Sequence, residues 1–402
     1  MSSVVTSFNY KVEASFVIED KDYPISDGSI NSIVVDYNYD TKNMPGMYVA
    51  LRIPSKLYNK MVLNNETGVI SLRLYKFNSQ LQNPIVTPYI QDKFIYIISS
   101  DPNYNIAEES ASNITNNDTT NDPNSYMSGH IGLISLHLLE DNSIFINDII
   151  KDSNPISIIH RYTKHMKMCI EPFDNNEMID QFIIPPINTI TGLLKYLNQN
   201  FCFYNSGYRF FRDFSTSYLL SMKGNPVETE DYEYNTIVIY VCDPTDYKAN
   251  TTAIEFDTTN KAYIIYVNAN NITIGKDRVG SKTYNNIVGV DTLGNTEELA
   301  IDLPTYVDSS KKNILERVPN DNLNLIKNTK NTLESGSTLI SVVKNDIDAA
   351  IITPNKQYMI KSHSMNREYD GKYVLSSKKE IFYRNTSSFV CTINFVLRRA
   401  KE

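Results

Sequence analysis

The chain runs to 402 residues, 41% hydrophobic and 21% charged, a composition that folds into two or more domains with a generous polar surface. A formal net charge of −8 excludes a global basic field for gathering phosphates. No run approaches eighteen apolar residues and the start lacks a basic, apolar leader pattern, so neither a membrane-spanning helix nor a signal peptide is expected.

Strand signals dominate the first hundred residues. Val12, Ala14, Phe16 and Ile18 alternate with polar neighbours, as do Ile33, Val35, Tyr37 and Tyr39. Met47, Val49, Leu51 and Ile53 repeat the pattern, and so do Ile70, Leu72 and Leu74. Period two with one polar face predicts antiparallel sheet with one buried side. "KFIYIISS" continues as a strand into an acidic stretch at 103–127, too poor in large apolar residues to offset its ordering entropy. That stretch is expected to be a mobile loop between paired strands, because "HIGLISLHLLE" resumes the strand pattern and places His137 inside a strand.

From about residue 141 the character changes. "NPISIIHRYTKHM" predicts a short helix and "PINTITGLLKYLNQN" a longer one, with Ile190, Leu193, Leu194 and Leu197 on one face and Asn188 or Thr189 as N-cap. "FCFYNSGYRFFRDFSTSYLLS" follows, interleaving aromatic rings with Arg209 and Arg212. Its first part reads as strands at 201–204 and 208–212 joined by Asn205-Ser206-Gly207. Phe201, Phe203, Tyr208 and Phe210 could be core rings against the Leu193/Leu197 face, a protein interface, or a stacking platform for bases. The acidic chain favours the first.

Beyond 230, "YNTIVIYVC", "KAYIIYVNA" and "NNITIG" are strands, and 275–320 is polar with weak periodicity. "NDNLNLIKNTKNTLES" offers a helix. In the closing strand Phe389, Cys391, Ile393, Phe395 and Leu397 face one way, with Thr392, Asn394 and Arg398 on the other.

Chemistry-bearing patterns are sparse. Cys169, Cys202, Cys242 and Cys391 are scattered and read as reduced, buried small hydrophobes. His160 and His165 are five residues apart, not the four that share a helix face, and His130 and His363 have no partner pattern. Neighbouring carboxylates such as Glu108 with Glu109 and Glu297 with Glu298 sit in polar segments. No catalytic, cofactor-binding or metal-binding residue is assigned, no cofactor is expected, and the chain is read as not an enzyme.

In the order of its elements the sequence resembles the central baseplate hub proteins of contractile-tailed phages, of the T4 type and its Mu-like and P2-like relatives. Three stretches carry the resemblance. "GMYVALRIPSKLYNKMVLNNETGVISLRLYKF" is similar to the strand, short helix, strand unit of the first tube domain. "TGLLKYLNQNFCFYNSGYRFFRDFSTSYLLS" resembles the inserted domain's helix and aromatic hairpin, and "GKYVLSSKKEIFYRNTSSFVCTINFVLRR" the closing hairpin of the second tube domain. The fold so implied is mainly β with an α+β insertion: two tube-type antiparallel β-barrel domains plus inserted domains. The expected division is a first tube-type domain at 1–140, an inserted α+β domain at 141–228, strand entry and a second insertion at 229–335, and the rest of the second tube-type domain at 336–402. The implied function is a homotrimeric ring that adapts the sixfold tail tube to the threefold central spike. Partners would be the spike, the tube or a tube initiator, and a tape-measure protein, with DNA passing through but not specifically bound. The place would be the virion tail baseplate, assembled in the bacterial host cytoplasm. A tail-associated cell-wall hydrolase or glycan-binding module is the alternative, and would need a pocket with two convergent carboxylates.

Overall fold

The computed structural model describes residues 2–4, 8–40, 43–64, 66–77, 87–99, 126–228, 235–246, 248, 254–276, 286–290, 296–300, 313–317, 338–345, 347–362 and 367–400. The first strands are β1 (Ser2–Val4), β2 (Asn9–Ile18), β3 (Lys21–Ile25), β4 (Ile30–Asn38), β5 (Gly46–Pro54), β6 (Val69–Phe77), β7 (Thr87–Ser99) and β8 (Tyr126–Ser135), with helix α1 (Ser55–Leu63) between β5 and β6. Next come α2 (Leu136–Asn142), β9 (Ser143–Ser153), α3 (Pro155–Tyr162), β10 (Met168–Ile170), β11 (Ile179–Thr189), α4 (Ile190–Phe201), β12 (Tyr208–Arg212) and β13 (Ser217–Ser221). The chain continues through β14 (Thr236–Cys242), β15 (Ile254–Asp257), β16 (Ala262–Asn268), β17 (Ile272–Lys276), β18 (Asn286–Val290), β19 (Thr296–Ala300) and β20 (Asn313–Arg317). It ends with β21 (Thr338–Asn345), β22 (Gln357–Ser362), β23 (Gly371–Asn385) and β24 (Ser388–Arg399).

Eight of these strands close on themselves. The antiparallel neighbours run β4, β5, β8, β7, β6, β2, β24, β23 and back to β4. The alternation read from the sequence sends one side chain in two into this ring, so Val12 and Phe16, Ile33 and Val35, Met47, Val49, Leu51 and Ile53, and Ile70, Leu72 and Leu74 are all buried. Closure leaves the ring no free edge, which is the physical advantage of a barrel over an open sheet. β7 and β8 pair as expected; of the loop expected at 103–127, Tyr126 and Met127 belong to β8, paired with Pro54 and Ile53 of β5, and the rest lies outside the described residues.

The hairpin β23–β24 is long enough to serve two sheets. Its Ser377–Asn385 half completes the barrel, and its Gly371–Leu375 half lies in a second sheet beside β22 and β24. That second sheet runs β1, β15, β16, β14, β22, β23, β24, β21, β17, with β14 parallel to both neighbours. β14 and β16 bury residues on both faces, as strands in a parallel neighbourhood do. A β-bulge between Leu375 and Ser377 marks the crossing point. β18, β19 and β20 form a separate three-stranded sheet, and the helix expected at 320–335 lies outside the described residues.

The α+β insertion has its own core. The two-stranded ribbon β9–β11, helices α3 and α4, and the small sheet β10–β13–β12 enclose Ile146, Ile150, Ile158, Ile184, Leu193, Leu197 and Phe203. Ile190, Leu193, Leu194 and Leu197 are all buried, and Thr189 caps α4 by accepting from Gly192 N–H at 3.0 Å. Two readings are corrected. His137 lies in α2, because the Ser135 hydroxyl accepts the Leu138 N–H and turns the chain out of β8. Residues 201–204 are not a strand either: Phe201 ends α4, and Cys202 adopts a left-handed C-cap with φ 49°. The hairpin is therefore β12–β13, joined through Asp213 to Thr216.

Candidate assembly surface

The aromatic stretch at 201–221 is core, as its sequence setting suggested. Phe203 is fully buried and stacks on Phe173 with ring centres 4.6 Å apart, while Phe210 and Leu219 pack into the same cluster. Phe211 points to the opposite face of β12 and meets Tyr39 edge-on at 4.4 Å, joining the barrel's core. β12 is thus a two-sided plank, pinned to the insertion by one face and to the barrel by the other.

The two arginines fasten the same junction. Arg209 is buried and its Nη1 donates to the Leu375 carbonyl at 2.7 Å, beside the β23 bulge. Burial draws its pKa down, with Asp40 opposing. Arg212 donates to the Leu138 carbonyl at 2.7 Å and pairs with Asp141 at 3.1 Å. Asp141 also meets His137 at 3.0 Å and His165 at 3.8 Å, so these histidines belong to the α2 junction. Cations enclosed by protein in this way offer no groove to a nucleic-acid backbone.

Among the described residues a charged pair lies inside the barrel. Lys378 and Glu380, two residues apart on the inward face of β23, meet at 2.7 Å, and the Tyr89 hydroxyl donates to Glu380 at 2.5 Å. Stripping water from two charges costs several kcal/mol each, and the mutual contact together with the Tyr89 hydrogen bond offsets part of that cost. All four cysteines are free and buried, and burial pushes the Cys169 thiol up to about 12. Two recesses, of about 630 Å³ beside His160, Arg161 and Lys164 and about 420 Å³ beside Arg52 and Tyr126, have no carboxylate in their walls. Among the described residues no three His, Cys, Asp or Glu side chains are grouped to hold a metal. Glu108, Glu109 and His363 lie outside the described residues.

What the structure does expose is apolar surface that folding does not need. On the outside of the closed barrel, Ile97 of β7 lies opposite Gly132 of β8, which lies opposite Tyr48 of β5. Ile95 pairs with Ile134 alongside. Ile97 is 57% exposed and Ile134 37%, and the residues between them carry no charge. A second apolar face lies on the outside of the β9–β11 ribbon, where Ile149 and Ile183 are direct cross-strand partners, 55% and 59% exposed. Phe145 extends that face and is 79% exposed. Large contiguous apolar patches are uncommon on the surface of monomeric proteins.

A family model for the bacteriophage PBS1 gene 109 protein matches residues 1–400. The chain belongs to that family. Within this gene 109 family fold, the likeness to solved phage tail structures runs nearly end to end. The tail protein from Neisseria meningitidis MC58 superposes with a TM-score of 0.52 at 11% identity, over 97% of both chains. The 43 kDa tail protein of prophage MuSo2 from Shewanella oneidensis gives 0.49 at 9% identity, over 97% of this chain and 99% of that one. The prophage tail protein gp18 from Listeria monocytogenes EGD-e gives 0.40 at 10% identity, over 97% and 95%. Comparison with curated proteins gives no match. The mainly β fold with its α+β insertion, expected from the element order, is the fold observed.

Proposed function

We propose that this gene 109 family chain is a structural subunit of a phage tail baseplate, three copies forming a ring between the sixfold tail tube and the threefold central spike. The observation that carries the reading is the uncharged apolar face on the outside of a barrel already closed around its own core. A closed barrel gains nothing in folding from Ile97 and Ile134 on its exterior, whereas a ring subunit needs such a face for its neighbour. The tail-protein fold along the whole chain supports the same reading. On this proposal 1–140, with the final hairpin, is a tube-type unit, 141–228 a peripheral insertion, 229–335 a second insertion, and 336–402 the rest of a second tube-type unit. The ring would be a non-enzymatic virion component assembled in the host cytoplasm. It would contact spike, tube or tube initiator and tape-measure proteins, and its −8 charge per chain would let DNA pass without sticking.

Size-exclusion chromatography with light scattering tests this. The expected result is a species of three chain masses that Ile97→Glu converts to monomer with an unchanged circular dichroism spectrum. A parent that stays monomeric at every concentration overturns the trimeric ring.

A further inference from the structure

We infer that the outer edge of β17 pairs with an extended segment of a different protein, which sets an apolar side chain in the recess beside it. The inference is independent of the ring proposed above and concerns the far edge of the second sheet.

β17 ends that sheet. It is laddered to β21 on one side, and among the described residues no strand pairs with the other. Thr273, Ile274, Gly275 and Lys276 are all exposed, Ile274 by 43%, and a Cβ added at Gly275 meets nothing within 4 Å. A strand open on both faces and along one edge is a template for another backbone. Proteins guard such edges with proline, bulges, charges or shortness, and the other outer strands described here are guarded. β3 carries Pro24 beside Lys21 and Asp22, while β11 carries Pro185, Pro186 and its bulges. β9 holds Asp148, Lys151 and Asp152, and β19 and β20 each carry a pair of charged residues. The Arg212 N–H of β12 is taken by the Asn43 carbonyl at 2.9 Å, and β1 and β10 have only 3 residues each. β17 has neither proline nor bulge, and its one charge is Lys276 at the very end.

A recess of about 170 Å³ lies beside this edge. Ile272 and Ile274, two apart and so on one face of β17, wall it together with Val241 of β14, Ile360 of β22 and Tyr369. Ser362 also borders it, with its hydroxyl donated to Asp370 at 2.8 Å. The volume is below the range of small-molecule sites and suits one large apolar side chain. Backbone hydrogen bonds along an edge, with a pocket for an alternate side chain, are how an added strand is recognised.

A second copy is the wrong occupant. Its other edges are guarded, and β17 against β17 of another copy makes a twofold contact that closes no threefold ring. The 5 residues of β17 form an edge about 17 Å long and about 10 Å deep, far short of the roughly 800 Å² per partner of a stable pair of folded subunits. An added peptide strand uses an edge of this length.

Fluorescence anisotropy on the full chain tests the pairing. The probes are fluorescein-labelled peptides that alternate threonine with valine, isoleucine, leucine, phenylalanine or tyrosine between terminal lysines. At least one is expected to bind saturably, and to be lost when its alternate backbone nitrogens are methylated. Ile274→Lys puts a charge at the recess and should weaken that binding about tenfold or more, whereas Ile183→Lys on the distant ribbon should not. Hydrogen exchange on the parent gives a second reading that needs no variant: the amides of Ile272–Lys276 should slow when the bound peptide is added. Failure of every probe to bind overturns the inference, as does binding that leaves those amides unprotected. A parent oligomer, of two copies or three, that Ile274→Lys dissolves would give the edge to a second copy and overturn it as well.

Discussion

At the scale of single residues, buried groups decide stability. Phe203 is fully enclosed between Phe173 and the α4 face. Phe203→Ala leaves a cavity there and is expected to cost about 3–5 kcal/mol, read from chemical denaturation. Melting that is unchanged would remove the ring from the core. Lys356 makes a pH-dependent contribution. It is buried with its ammonium 4.5 Å from the Tyr263 ring, and burial lowers its pKa to about 7, partly opposed by Asp348. Lys344, whose ammonium donates to the Tyr266 carbonyl at 2.8 Å, is lowered to about 8 by the same cause. Between about pH 7 and the ordinary lysine value of 10.5, the unfolded chain keeps the Lys356 proton and the folded chain has lost it. Deprotonation therefore favours the folded state, and stability should rise with pH by up to about 1.4 kcal/mol per unit. Denaturation midpoints taken from pH 7.5 to 9 should climb, and Lys356→Met should flatten the climb while leaving the smaller Lys344 share. An equal slope in parent and variant would show that Lys356 carries no such penalty.

At the scale of elements, the sequence was most legible where apolar periodicity had one burial environment to answer to. β2, β4, β5, β6 and β24 each line one side of the barrel wall, so simple alternation located them. The α4 stripe was equally plain, because one helix face meets one core. The misread elements sit where the environment changes within a few residues. "HIGLISLHLLE" continues a strand pattern through His137, but the hydroxyl of Ser135 caps a new helix and the following leucine becomes its buried residue. In "FCFYNSGYRFFR" the rings at 203 and 204 look strand-like, yet they are buried from a loop held by the left-handed Cys202 and by Asn198 accepting the Phe203 N–H. Likewise Phe210 and Phe211 are both buried because β12 has a core on each side, which no period-two pattern reveals.

At the scale of the whole molecule, one hairpin ties the architecture together. β24 closes the barrel against β2 and also joins the second sheet through β21. Removing residues 387–402 should therefore open both sheets at once. The expected product is aggregated or lacks a cooperative thermal transition by calorimetry; a cooperative, monodisperse product would show that the barrel closes without its last strand.

The sequence by itself determined the β-rich class, the helical insertion, the buried faces of the regular strands and the buried cysteines, because these follow from local periodicity and from the cost of exposing apolar side chains. Only the tertiary structure decided that β2 and β24 complete one barrel, that Arg209 and Arg212 bind a junction between units, and which apolar residues remain outside. Those outcomes depend on contacts between residues far apart in the chain, such as Tyr10 with Phe389, and a linear pattern holds no record of which distant strand a given edge will meet.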